Sequence, residues 1–148
     1  MSIDGGLRSL FHTHLREGAH FQAIETGGTG LGIPDSNVCF LMPDGTGREC
    51  WIEFKKTDGW SVGMRVEQCS WHRTRRMRGG RTFIAVRRQH EGGPRRGPAV
   101  DELWLSDGIF AQHLSDGGLK NPDVVFLGVW SGGPARWDWE EVREILKR

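Results

Sequence analysis

Cysteine is scarce in this chain: Cys39, Cys50 and Cys69 make an odd set with no CxxC pair. That excludes a disulfide framework and leaves too few thiols in one place for a zinc knuckle. Long apolar runs are absent as well, and nothing approaches the roughly 18 residues that would span a bilayer. The first residues, MSIDGGLRSLFHTHLREG, carry Asp4, Arg8 and Arg16 and have no apolar stretch of the kind a secretion signal needs. The expectation is an intracellular protein with reduced thiols and no membrane span. Net charge is also small, +1. With 148 residues there is material for one sizeable core, so residues 1–148 are read as a single domain.

The small net charge hides an asymmetry. Residues 65–96 hold ten arginines against Glu67 and Glu91, a local charge of +8, and the remainder of the chain balances this at −7. Arginine concentrated in this way presents an anion-binding surface, and nucleic acid is the obvious anion.

Periodicity predicts the order of elements. Leu7, Leu10, Phe11 and Leu15 recur at helical spacing in LRSLFHTHLRE, and Gly18 ends the run. HFQAIE (20–25) alternates Phe21, Ala23 and Glu25 against Gln22 and Ile24, as a strand does. The following GGTGLGIP is a loop; its glycines 27, 28, 30 and 32 lack the helix a dinucleotide fingerprint requires and suit close approach of backbone to a ligand. NVCFLM (37–42), the turn PDGTG and ECWIEFK (49–55) read as a hairpin. MRVEQCSWHRTRRMR is a helix stopped by Gly79-Gly80, and RTFIAVRR (81–88) a buried strand. After the loop QHEGGPRRGPA come a short strand (102–105), a short helix (108–114), a strand (124–130) and a terminal helix opened by Asp138-x-x-Glu141. The order is αβββαβ, then β, α, β and α.

One constellation carries chemistry. Asp35 follows Pro34 at the entry to the second strand, and Glu53-Phe54-Lys55 lies on its hairpin partner. Strand alternation sends Ile52 and Phe54 to the core and Glu53 and Lys55 to the opposite face, so two acids and a lysine converge. Paired carboxylates suit Mg²⁺, a hard cation that keeps several waters for phosphate chemistry, and a lysine can orient the attacking water or steady developing charge. A Pro-Asp dipeptide alone has no weight: Pro43-Asp44 and Pro122-Asp123 also occur and read as turns. Placement ahead of an apolar strand, with ExK on the paired strand, distinguishes the first.

GIPDSNV, WIEFKK, EQCSWHR and a strand ending VRR together resemble the PD-(D/E)xK nucleases, in particular small VRR-Nuc-like and Holliday-junction-resolvase-like enzymes of viruses, over roughly residues 20–90. The resemblance implies a restriction-endonuclease-like αβββαβ core (about 7–90) with a mixed central sheet, here with a C-terminal β/α extension (about 100–148). It implies metal-dependent hydrolysis of DNA leaving 5′-phosphate and 3′-hydroxyl ends, with Mg²⁺ replaceable by Mn²⁺. It places metal on Asp35, Glu53 and the backbone carbonyl of Phe54, water activation on Lys55 and a supporting role on Gln68. A further acid precedes the PD motif in such enzymes; Glu25 is preferred to Glu17 here, although the arginine usual two residues earlier is Ala23. The viral relatives point to branched or flapped DNA, to a homodimer if junctions are resolved, and to the cytoplasm of an infected host cell.

Arg73, Arg75, Arg76, Arg78 and Arg81, with no glutamate among them, are expected to contact phosphate, with Lys56 a further candidate. His72, one turn beyond Gln68, is within possible reach of the site or simply structural. Among the seven tryptophans only Trp60, in a polar loop, is a candidate for touching nucleic acid. Two other functions fit the same residues less fully: a site-specific or nicking endonuclease of the homing or restriction type, and a non-catalytic binding module that uses only the arginine-rich helix.

Overall fold

In a computed structural model, which describes residues 4–25 and 30–148, the chain forms an α/β fold around a six-stranded mixed sheet. The elements are α1 (Leu7–Leu15), β1 (Ala19–Ala23), β2 (Ser36–Leu41), β3 (Gly47–Thr57), α2 (Val66–Met77), β4 (Thr82–His90), β5 (Val100–Asp107), α3 (Ala111–Gly117), β6 (Phe126–Trp130) and α4 (Trp139–Lys147). Strands lie in sequence order from β1 to β6. All neighbours are antiparallel except β3 and β4. That parallel pair needs a crossover, and α2 supplies it.

The sheet separates two cores. On one face, Leu7, Phe11 and Leu15 of α1 and Val142, Ile145 and Leu146 of α4 pack on Val38, Phe40, Ile52 and Phe54. Phe11 meets the Phe54 ring edge-on at 5.0 Å, tying α1 to the middle of β3. On the other face, Cys69 of α2, Ala111 and Leu114 of α3, and Leu119 cover Ile84 and Val86 of β4. This second cover reaches only part of the sheet. On β1 and β2 the residues of that face, His20 and Gln22 opposite Cys39 and Asn37, are exposed or half-buried.

The helix ends are tied by arginines. Arg143 of α4 donates to the carbonyls of His14, Leu15 and Glu17 at the end of α1. Arg48 and Arg81 donate to the last carbonyls of α4, on Leu146, Lys147 and Arg148. Guanidinium groups at a helix C-terminus satisfy orphan carbonyls and oppose the negative end of the helix dipole. At the other end of α4, Asp138 accepts from the Glu141 N–H at 3.0 Å, as its position predicts.

Several boundaries differ from the sequence expectation. β4 runs on to His90 and β5 starts at Val100, so the loop between them is shorter than its composition implies. The added rungs pair Gln89 with Asp101 and His90 with Val100; just inside them Arg88 faces Glu102, and Arg87 reaches Asp101 with two hydrogen bonds of 2.9 and 2.7 Å. Ion pairing, rather than apolar alternation, carries the hairpin outward. β6 begins at Phe126 because Val124 closes a turn on the Asn121 carbonyl. Among the described residues no helix is long and apolar enough to cross a membrane.

Candidate active site

β3 has the right pattern to put chemistry beside a core. Cys50, Ile52 and Phe54 enter the α1/α4 core, which turns Trp51, Glu53 and Lys55 toward α2. Ser36 pairs with Ile52, so Asp35 stands at the end of β2, level with Glu53. The Phe54 N–H has no β2 rung beyond that end, and the Asp35 carboxylate accepts it at 2.9 Å. A strand residue directs its N–H and C=O to the same neighbour in an antiparallel ladder. The Phe54 carbonyl therefore also faces the Asp35 side.

Gln68, in the first turn of α2, organises the rest. Its Nε2 donates to Glu53 Oε1 at 2.8 Å. Its Oε1 accepts from Lys55 Nζ at 2.9 Å and from the Arg65 backbone N–H at 2.9 Å. Two donors on one side and a carboxylate on the other leave a single sensible orientation for the amide. Lys55 Nζ also lies 3.5 Å from Glu53 Oε1. Glu53 is 2% exposed and stands beside Ile84 in the β3–β4 register. Its second oxygen, Oε2, is buried with no hydrogen-bond partner. Burial, and next the charge of Asp35, push the Glu53 carboxyl up to about 8, while Lys55 pulls the other way.

These groups line a cleft of about 640 Å³. Around Asp35, Glu53, Lys55 and Gln68 its walls include Arg8, Lys56 and Arg65. Arg8 and Arg65 join the cleft without a sequence signal of their own. Arg8 is in the N-terminal helix, far from the arginine-rich stretch, and only the packing of α1 against β3 brings it here. Arg65 belongs to that stretch and caps the start of α2, outside the cluster between Arg73 and Arg81. Asp4 also borders the cleft, with its carboxylate accepting from the N–H groups of Gly6 and Arg8. A cleft of similar size, about 660 Å³, lies around His90 and Asp101. Of its acids Glu91, Asp101 and Glu102, the last two are paired with Arg87 and Arg88, and it holds neither the Asp35–Glu53 pair nor Lys55.

No family model, curated protein or solved structure matches this chain.

Several candidates fall elsewhere. Glu25 is exposed and does not line the cleft. The Ile24 N–H bonds to the Asp35 carbonyl at 2.9 Å, so Ile24 stands level with Asp35 and Glu25 lies one residue beyond. Glu17 is exposed at the end of α1. Among the described residues, no three His, Cys, Asp or Glu side chains come close enough to enclose a metal ion. Residues 26–29, which include Gly27 and Gly28 of the glycine loop, lie outside the described residues. Gly32 abuts α2: a Cβ there would lie 2.2 Å from the Glu67 carbonyl oxygen.

The arginines also divide. Arg76 donates to the Gly80 carbonyl and, at 2.8 Å, to Asp107. Arg81 donates to the carbonyls of Glu49 and Leu146. Both are engaged inside the protein, which corrects the expectation that they are free for phosphate. Arg73, Arg75 and Arg78 are exposed, and Arg73 and Arg75 stand five and seven residues along α2 from Gln68, about 7.5 and 10.5 Å at 1.5 Å per residue. None of these arginines lines the cleft, whose cations are Arg8, Lys55, Lys56 and Arg65. Trp60 is 37% exposed, with the Arg88 guanidinium 3.8 Å and the Lys120 ammonium 4.3 Å from its ring centroid, and it does not line the cleft. His72 is fully buried, with Nδ1 3.0 Å from Thr82 Oγ1 and Nε2 without a partner, and it does not line the cleft. The arginines of VRR, Arg87 and Arg88, hold Asp101 and Glu102.

Proposed function

We propose that this protein is a Mg²⁺-dependent DNA endonuclease of the PD-(D/E)xK kind, acting on branched, flapped or junction DNA. The observation that carries the reading is Glu53 Oε2, a buried carboxylate oxygen without a partner beside Asp35, in a cleft walled by Arg8, Lys56 and Arg65. Buried polar atoms are normally satisfied, and an orphan in a cleft is what a ligand would complete. Two acids at the floor of a positively flanked cleft suit a divalent cation below a phosphate, whose charge would displace the proton that burial holds on Glu53.

Asp35, Glu53 and the Phe54 carbonyl would hold the metal. With two carboxylates in place, water and phosphate oxygens would fill its remaining positions, a division Mg²⁺ favours. When bound, the ion supplies Lewis-acid polarisation of the phosphodiester and activation of water. The chain's own groups do the rest. Gln68 holds the Glu53 carboxylate and the Lys55 ammonium in fixed relation. Lys55, 17% exposed, offers its ammonium to the attacking water and to charge developing on the phosphate. Arg8, Lys56 and Arg65 position the flanking backbone phosphates. The element order αβββαβ, with one acid just before β2, the other on β3 and Gln68 on the next helix, is the arrangement expected for such nucleases. Symmetric cleavage of both strands of a junction at once would call for a homodimer, since one such cleft per chain serves one strand at a time.

The test is cleavage of linear duplex, single strand, flap, nicked duplex and four-way junction with Mg²⁺, Mn²⁺ or chelator, beside folded Glu53→Ala and Lys55→Ala proteins. Metal-dependent cutting of the branched members, lost in both variants, is expected. Absence of cutting with either metal, alongside salt-sensitive binding, would reduce the protein to a binding module. Sequence-selective cutting of linear duplex would identify a restriction-type enzyme instead.

A further inference from the structure

The α2 face of the sheet carries a second feature beside the acids. Trp51 precedes Glu53 by two residues on β3 and shares its face, about 7 Å along the strand. The Trp71 ring meets it at 5.3 Å and 63°. The Arg75 guanidinium lies over both, 4.6 Å from the Trp71 centroid and 5.5 Å from that of Trp51. Both rings are half-buried and Arg75 is exposed, so the cluster keeps an open side. Gly80 makes room for it, because a Cβ there would lie 2.5 Å from Arg75 Cδ. Toward β1 and β2, among the described residues, the same face is half-buried at Asn37, the β2 partner of Trp51, and exposed at Gln22.

We propose that Trp51, Trp71 and Arg75 form a stacking shelf for one unpaired base of the DNA strand whose phosphate enters the cleft. The proposal rests on the nuclease reading and adds the feature that selects the substrate. Indole faces and a guanidinium plane are the groups on which unpaired bases stack, and they accept any base. Paired bases are stacked on one another and present only their edges, so intact duplex has nothing to lay on the shelf. The 7 Å offset is about twice the 3.4 Å rise of a stacked base, which places the stacked base one or two nucleotides from the phosphate at Glu53. A flap or junction supplies an unpaired base at that distance from a backbone the flanking cations can hold. The positive charge of Arg75 further complements the strand.

The experiment is fluorescence anisotropy in chelator, so that binding is read without cleavage. The probe is a labelled flap duplex whose unpaired arm carries either normal bases or a single abasic position moved stepwise from the branch. An abasic position next to the branch is expected to weaken wild-type binding on the order of tenfold. Abasic positions further out are expected to have little effect. Trp71→Ala and Arg75→Ala proteins with unchanged far-UV spectra should bind the intact and abasic arms alike, while Trp71→Phe keeps the difference. Equal binding of intact and abasic arms by the wild-type protein overturns the shelf, whatever the variants do and whether or not the protein cuts. Base-dependent binding by a protein that never cuts would retain the shelf and remove the nuclease.

Discussion

Gln68 donates to Glu53 Oε1 at 2.8 Å while its carbonyl oxygen holds Lys55 Nζ at 2.9 Å, so one amide sets the distance between the carboxylate and the ammonium. Removing it leaves both groups in place but unheld. Gln68→Ala is expected to lower kcat on the order of 10–100-fold, the usual effect of losing a residue that orients a metal ligand. Metal affinity should fall in parallel, read by the Mg²⁺ concentration needed for half-maximal cleavage. Gln68→Glu should be worse, since it sets a third carboxylate against Glu53 and cannot donate to it. Wild-type activity in Gln68→Ala would mean that the contact does not position the site.

The two buried titratable groups near α2 give opposite dependences on pH. Glu53 is raised from 4.5 to about 8, so between those values the folded protein holds a proton that the unfolded chain has lost. Stability from this group falls as pH rises across that window. His72 is lowered from 6.5 to about 4, by burial first and then by Lys55. Below 6.5 the unfolded chain takes up a proton that the folded one refuses, so stability from this group falls as pH drops toward 4. The two oppose each other between 4.5 and 6.5, and only Glu53 acts between 6.5 and 8. Metal-free wild-type protein should lose about 2 kcal/mol across that last interval, at 1.36 kcal/mol per pH unit. Glu53→Gln should show no such loss and should be the more stable protein at pH 8. Denaturant midpoints at a series of pH values decide it, and an identical slope in both proteins would place the proton on another group.

Much of the fold is visible in the sequence because apolar spacing is enough to mark Leu7, Phe11 and Leu15, the β3 alternation and the Gly79-Gly80 stop. The acid pair is visible for the same reason: once Ile52 and Phe54 are assigned inward, Glu53 must face the other way. What periodicity cannot show is which charged side chains spend their charge inside the protein. Arg76, Arg81, Arg87 and Arg88 read as a basic surface, yet each finds an acid or a carbonyl brought from a distant segment. Arg8 reaches the cleft through the packing of α1, which local sequence does not encode. Gln89, His90 and Asp101 hide the outer rungs of the β4–β5 hairpin for a related reason, since polar residues beside glycine and proline make a strand look like a loop.

The approach of the glycine loop to α2 gives a separable prediction. Gly32 has φ +87° and its missing Cβ leaves room for the Glu67 carbonyl, 2.2 Å from where that atom would be. Gly45, in the hairpin turn, has φ +84° and open space around it. Alanine at either position meets the same left-handed backbone penalty, about 1–2 kcal/mol. Only Gly32→Ala must also push the loop away from α2, and that loop leads into Asp35. Gly45→Ala is therefore expected to lower the unfolding midpoint and keep kcat/KM, whereas Gly32→Ala lowers both. Equal activity in the two variants would show that the contact with Glu67 does not place Asp35.

The division among arginines is tested by separating stability from binding. Arg81 donates to the Glu49 carbonyl at 2.8 Å and to Leu146 at the end of α4, joining β3 to the C-terminal helix. Hydrogen bonds from a charged donor contribute about 1.5–3 kcal/mol, so Arg81→Ala should lower stability by an amount of that order. Because the side chain faces carbonyls, its loss should leave the dependence of DNA affinity on salt unchanged. Arg65 lines the cleft and is exposed. Arg65→Ala should leave the unfolding midpoint nearly unmoved, weaken DNA binding across sequences and reduce the slope of log affinity against log salt by about one. Paired denaturation and salt-titration curves for the two variants check both halves. A reduced salt slope in Arg81→Ala would put phosphate against the far end of α2 after all, and would move the DNA path away from the cleft at Glu53.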